Sequence, residues 1–304
     1  RGKSPAAPTR PLIEGRPGSG HLRGLDLHWD GERVLFSYVK QPQYDYTRDA
    51  VKENSEYGRS ETADLYEINI DGTGLRRLTD AVYNSDVEPC YLPNDDIVFV
   101  SDRSNYGSQC AGSLHQDKMI LNLFRCAPDG SRIMPLSNNK DFDRHPRVMD
   151  DGQLLFLHWE YQERHLWQTH TLWTCRPDGS MTDTIYKQHI DSGPMSLREA
   201  RQIPGLSKLV AVACGHHNGE VGAVFTVDYL KGINNSDAMR QITPGVSSTE
   251  GGYGRVETIE QGGVQDGGGH YQFPYPLSEK SFLAAYSYKK PEEEGGRDFA
   301  LYYI

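Results

Sequence analysis

The sequence has 304 residues, a formal net charge of -10 and a mean hydropathy of -0.66. An acidic balance argues against nucleic acid as the main partner, because binding phosphate calls for a basic surface. No apolar run approaches the roughly 18 residues that a membrane-spanning helix requires. The 31 glycines, 17 prolines and 18 tyrosines suit many turns between many half-buried strands.

In chain order, residues 1–20 carry four prolines, four glycines and no periodicity, which predicts a linker or an extended arm. Next comes a four-strand unit, Leu25 to Val39 followed by Asp64 to Thr79, interrupted by a polar insertion from Gln41 to Thr62. An insertion of that length reads as a binding loop or a disordered segment, and Tyr44, Tyr46 and Tyr57 favour an ordered one. The unit recurs as Val87 to Arg103 with Asn122 to Ser137, around a shorter insertion from Ser104 to Met119. Its third copy is the clearest. An inner pair turns at Asp150-Asp151-Gly152 and an outer pair at Pro177-Asp178-Gly179, and such Asp-Gly steps between alternating apolar runs are strong hairpin signals. Glu199 to Cys214 with Gly222 to Thr243 makes a fourth copy, in which Asp228 replaces the outer Asp-Gly turn. After eight glycines between Ser247 and His270, Gln272 to Tyr288 leads into Phe299 to Ile304.

The outer-turn residues Asp71, Asp129, Asp178 and Asp228 are spaced by 58, 49 and 50 residues. Four strands repeating at that period predict an all-β fold, a β-propeller of four-stranded antiparallel blades, each needing a neighbour to bury its faces. The blades fall at about 21–80, 81–138, 139–190, 191–245 and an incomplete 270–304, with 246–269 a glycine-rich loop. Five blades are expected in this chain and six, or seven, in the full protein. A start at Arg1 and a stop inside a third strand predict a piece of a longer chain, so the absence of a targeting segment carries no information about compartment.

The five cysteines, Cys90, Cys110, Cys126, Cys175 and Cys214, include no C-x-x-C. Zinc ribbons, thioredoxin-like motifs and c-type haem attachment are thereby excluded within this chain. Cys126 and Cys175 hold equivalent strand positions and read as small buried hydrophobes.

Asp-x-x-Pro before an inner hairpin, then Asp71-Gly72 running to Leu78-Thr79 and Asp129-Gly130 to Leu136-Ser137, resembles the TolB-type propeller repeat. More narrowly, HLRGLDLHWDGERVLFSY from His21, DVEPCYLPNDDIVFVSDR from Asp86, LFLHWEYQER from Leu155, LWTCRPDGS from Leu172, REARQIPGLSKLVAVACGHHNGEVG from Arg198 and PYPLSE from Pro274 resemble the propeller domain of the hydrazine synthase alpha subunit family. This resemblance implies a periplasmic or extracellular bacterial protein whose partners are other domains or subunits of an assembly, cytochrome-like ones included. That chemistry uses c-type haem held by C-x-x-C-H, which is missing from this sequence. Haem is therefore expected only through a further domain or partner, and the leading functional expectation is a ligand-binding or scaffold module.

Aligning the repeats puts Leu25, Glu88, His145, Glu199 and Phe273 at one mouth of the central channel, with Leu27, Cys90, Arg147, Arg201 and Tyr275 two residues further on. Converging polar groups in a concave mouth predict a site, with Glu88, His145 and Glu199 as candidate catalytic groups and Arg147, Arg198 and Arg201 as binding groups. The other reading is that these charges simply pair around a solvated channel. Glu160, Tyr161 and Arg164 could join the site as an acid/base set, or Glu160 and Arg164 could form an ion pair that tethers a loop. Cys214, His216 and His217 are the most ligand-like cluster and suit a transition metal such as zinc, with His158, His165 or His170 adding a ligand. Adjacent histidines on a strand face opposite ways, so one of the two pairs with Cys214 unless the segment is a turn. The alternative function is a metal-dependent carbohydrate-active enzyme, similar to the propeller-type oligogalacturonide lyases, using His145, His216 and His217 with Glu88 or Glu199 as base. Of the four tryptophans, Trp29, Trp159 and Trp173 read as blade packing and Trp167 as a stacking candidate.

Overall fold

A computed structural model describes residues 10–40, 62–81, 84–104, 120–160, 170–190, 194–215, 221–246, 269–288 and 299–304. The first antiparallel sheet comprises β1 (Gly20–Leu27), β2 (Arg33–Lys40), β3 (Ala63–Asn69) and β4 (Arg76–Arg77). The second comprises β5 (Asp86–Tyr91), β6 (Ile97–Ser101), β7 (Asn122–Cys126) and β8 (Met134–Pro135). β9 (Phe142–Val148), β10 (Leu154–Trp159), β11 (His170–Cys175) and β12 (Asp183–Tyr186) make the third, and β13 (Ser196–Gln202), β14 (Lys208–Cys214), β15 (Ala223–Asp228) and β16 (Met239–Gln241) the fourth. The fifth has three described strands, β17 (His270–Ser278), β18 (Ser281–Ser287) and β19 (Ala300–Tyr303). Each sheet is a blade with strands in sequence order from the axis outward, as the repeat predicts.

The turns form where the sequence supplies residues that tolerate positive φ. Gly31, Asp95, Gly152 and Gly205 close inner hairpins, and Gly72, Gly130 and Gly179 close outer ones. In the outer turns the carboxylates of Asp71, Asp129 and Asp178 each accept from the backbone N–H and the hydroxyl of Thr73, Ser131 and Ser180, with hydroxyl distances of 2.6 Å. These turns also join the blades. A Cβ added at Gly130 would stand 1.8 Å from the carbonyl oxygen of Leu78, one blade back. Arg76 donates to the Pro128 carbonyl at 3.1 Å, and Arg125 to that of Pro177 at 2.9 Å, repeating the contact one blade on. In the fourth blade, where Asp228 replaces the Asp-Gly pair, short 3-10 turns at Tyr229–Lys231 and Ser236–Ala238 take over.

Period-two alternation decides which blade each side chain meets. Ile97 and Phe99 pack with Leu35 and Leu65 of the first blade, whereas Val98 and Val100 pack with Leu154 and Phe156 of the third. Leu155, between those last two, faces Leu197 and Ala211 of the fourth blade, and Val210 meets Phe282 of the fifth. Each such buried Leu or Phe contributes about 2 kcal/mol. Trp159 is buried and stacks on Phe142 and His170, but Trp29, expected to pack between blades, is 61% exposed and donates its indole N–H to the Leu92 carbonyl.

The described end of the predicted arm lies on the first blade. Leu12 and Ile13 pack against Phe36, Tyr38 and Ile68, and Arg10 and Arg16 donate to the carbonyls of Ile70 and Gly72. β1 packs on β5 but makes no substantial contact with β17. The apolar residues Leu25 and Leu27 of β1, and Leu277 and Leu301 in the fifth blade, are accordingly exposed. Among the described residues no helix is long and apolar enough to cross a membrane.

Candidate functional site

The innermost strand of every blade is interrupted at the same place. Register shifts fall at Arg23/Leu25, Val87/Cys90, Arg198/Arg201 and Gln272/Tyr275, and opposite Leu155/Leu157 in β9. At each bulge one residue has positive φ: Gly24 (54°), Glu88 (53°), His145 (57°), Glu199 (53°) and Phe273 (50°). For the four non-glycine residues this left-handed conformation costs about 1–2 kcal/mol each, and the surrounding structure must hold them in it. The first-blade member is thus Gly24, with Asp26 two residues on, rather than Leu25 and Leu27, which are exposed. Gly24 has no room for a side chain, since a Cβ there would stand 2.7 Å from the Cα of Glu88. A glycine carries no polar signal, and the first blade lacks the Asp-x-x-Pro step that marks the register in the second and third.

The bulge residues meet across blade junctions. Glu88 accepts from both Nε and Nη2 of Arg144, the former at 3.1 Å, and from the backbone N–H of His145 at 2.9 Å. His145 Nδ1 lies 3.3 Å from Glu88 Oε2 and 2.9 Å from Glu199 Oε1, while Arg147 reaches Glu199 Oε2 at 3.3 Å. Glu88, His145, Arg147 and Glu199 are all buried. The structure places these four, aligned by the repeat, within reach of one another and adds Arg144, for which adjacency to His145 was the available signal.

A second tier lies two residues beyond the bulges: Asp26, Cys90, Arg147, Arg201 and Tyr275. Asp26 accepts from the Tyr91 backbone N–H at 2.9 Å, and the Arg201 guanidinium sits over the Tyr275 ring, 5.2 Å from its centroid. Burial works against the charge on Arg147, but the carboxylates of Glu199 and Asp26 hold its pKa above the usual value. Burial likewise opposes the charge on Arg201, the Arg147 charge adds to that, and its pKa falls to about 10. Burial pushes the Cys90 thiol up to about 12, so it stays neutral among these charges.

The other predicted site residues are placed elsewhere or not described. Arg198, buried one residue before the bulge, donates from Nε to the hydroxyl of Ser196 on its own strand at 3.1 Å. Glu160 stands 3.2 Å from His158 Nε2 at the outer end of β10, and Tyr161, Arg164, His165 and Trp167 lie outside the described residues. Cys214 ends β14 fully buried, in register with Ser196, while His216 and His217 lie outside the described residues. Among the described residues no group of three or more His, Cys, Asp or Glu is arranged to hold a metal ion.

No protein-family model matches the sequence, and no curated protein matches it either. Solved structures do. Hydrazine synthase of Kuenenia stuttgartiensis aligns with 96% of this chain at a TM-score of 0.65 and 17% identity. The chain has the β-propeller fold found in hydrazine synthase. It also aligns over 94% of its length with an oligogalacturonate lyase in complex with manganese, at a TM-score of 0.52 and 12% identity. TolB from Acinetobacter baumannii matches over 68% at 0.42 and 12%. The chain spans 38% of the hydrazine synthase chain and 66% of the lyase. At such identities the likeness is one of fold.

Proposed function

We propose that this chain is the ligand-binding propeller module of a larger, exported bacterial protein, with its site at the axial mouth ringed by Glu88, His145, Glu199 and Phe273. The single observation that carries the reading is the bulge repeated in every blade, which spends backbone strain to hold buried charged groups at one point. A ring that only had to close a hydrophobic core would not keep Glu88, His145, Arg147 and Glu199 there, because buried charges cost more than apolar side chains of similar volume. The exposed apolar residues of β1 and the fifth blade support a further blade between them in the parent protein. Other domains or subunits of the assembly would be the partners, and any haem would belong to them.

The test is a screen of acidic, basic and neutral small molecules by ligand-detected magnetic resonance on the wild type and Phe273→Ala, whose ring is half exposed at the mouth. Binders weakened in the variant support the reading; binders indifferent to it, or none, overturn it.

A second reading is a metal-dependent enzyme acting on acidic sugars, favoured by the fold match to the manganese-bound lyase. It needs His145, His216 and His217 as the metal-binding groups, with Glu88 or Glu199 as base. Elemental analysis of protein purified without chelator, beside a His216→Ala/His217→Ala variant, tests it: a stoichiometric metal lost in the variant supports the enzyme, and an empty wild type removes it.

A further inference from the structure

We infer that the inner tier of the axial mouth holds a small oxyanion between the guanidinium groups of Arg147 and Arg201, with Tyr275 as its apolar wall. This deepens the binding-module reading and rests on it.

Position brings the two arginines together. Each stands two residues after the positive-φ residue of its blade, on the adjacent strands β9 and β13, so the repeat places them side by side at the axis. The two like charges, Arg147 buried and Arg201 partly buried on strands that pack against each other, repel, which is an arrangement that an anion relieves.

The carboxylates of Asp26 and Glu199 act electrostatically on both arginines, but none of those nearby forms an ion pair with Arg201, and each has a hydrogen-bond partner of its own. Glu88 is held by Arg144 and the His145 backbone, Glu199 by His145 and Arg147, and Asp26 by the Tyr91 backbone N–H. Among the described residues Arg201 has no carboxylate within ion-pair distance, and its contact is the Tyr275 ring. Arg147 spends its terminal nitrogens on the Pro146 carbonyl at 2.8 Å and on Glu199, and its buried Nε has no hydrogen-bond partner. An unpaired donor inside a protein is costly, and the Nε edge of a guanidinium is half of the fork that grips two oxygens of a carboxylate, sulfate or phosphate. The depressed pKa of Arg201 agrees, since an arginine pushed down by burial and a like charge gains most from an anion. Tyr275 is half exposed, which leaves an approach from the side of the fifth blade.

The experiment is calorimetric titration of the full chain with acetate, succinate, sulfate and phosphate at constant ionic strength in chloride, for wild type, Arg201→Gln and Arg201→Lys, with folding confirmed by circular dichroism. The expected result is saturable binding at one site, weakened at least tenfold in Arg201→Gln and partly retained in Arg201→Lys. Preference for acetate and succinate identifies the ligand class as a planar carboxylate, and preference for sulfate or phosphate as a tetrahedral oxyanion. Binding unchanged in Arg201→Gln overturns the inference, as does no saturable binding to the wild type. In the second case the small-molecule screen separates the two failures: neutral or basic binders sensitive to Phe273→Ala leave the module reading standing without its anion, and no binders at all remove both.

Discussion

His145 Nδ1 stands 2.9 Å from Glu199 Oε1 across the junction of the third and fourth blades, while the other oxygen of the same carboxylate is reached by Arg147 at 3.3 Å. One buried glutamate therefore serves two basic groups contributed by the blade before it. Replacing Glu199 by Gln leaves the buried Arg147 without its carboxylate and is expected to cost about 3 kcal/mol in urea unfolding. Glu88→Gln should cost less, because the side chain of Arg144 is 17% exposed and can turn to water, whereas that of Arg147 is 6% exposed. Equal losses from both substitutions would contradict this account.

The docking of outer turns on the preceding blade predicts a difference between two glycines of equal φ. Gly130 (83°) has the Leu78 carbonyl where its Cβ would go, while Gly152 (82°) has nothing within 4 Å. Gly152→Ala should cost about 1 kcal/mol, the backbone term alone. Gly130→Ala adds a clash with a neighbouring blade and should cost about 2 kcal/mol more, read as a larger drop in thermal midpoint.

His158 supplies a pH dependence. Burial, with Phe156 and Trp173 packed around the ring, works against its charge, but Asp143 at 2.6 Å and Glu160 at 3.2 Å outweigh this and raise its pKa to about 9 from 6.5. A raised pKa stabilises the fold fully below the unfolded value and ceases to do so as pH rises through the folded one. Unfolding free energy should thus fall between about pH 6.5 and 9, by an amount on the order of 3 kcal/mol at most. The fall should vanish in His158→Gln. At the same rung of the second blade the Asp86 carboxylate is held instead by Ser101 at 2.7 Å and by Arg103.

The described thiols should be inert in the folded state. Cys90, Cys126 and Cys175 are buried with pKa values pushed up to about 12, chiefly by that burial, and Cys214 is fully buried. A dithionitrobenzoate assay should register none of these four in native protein and all of them in guanidinium. Fast reaction of Cys214 in the native state would show that the end of β14 opens.

Much of the architecture was legible because its signals are local. Asp-Gly turns at Asp129 and Asp178 and the period-two runs around Val98 and Leu155 report hairpins and two-sided burial directly, and their spacing reports the repeat. The ring of Glu88, His145 and Glu199 was legible for the same reason, since equivalent positions in equivalent blades must meet at the axis. Where the repeat loses its polar marker, at Gly24, the register slipped by one residue and hid Asp26.

The sequence by itself determined the blade, its period and, outside the first blade, the positions of the bulge ring, because hydrophobic alternation and turn chemistry act over a few neighbouring positions. Only the tertiary structure decided which charges satisfy one another: that Glu88 is taken by Arg144, that Glu199 is shared by His145 and Arg147, and that Arg201 lies over Tyr275. Those pairings join residues from more than fifty to more than seventy positions apart around the strained backbone of the bulges, and electrostatic energy depends on distances and burial that no spacing along the chain encodes.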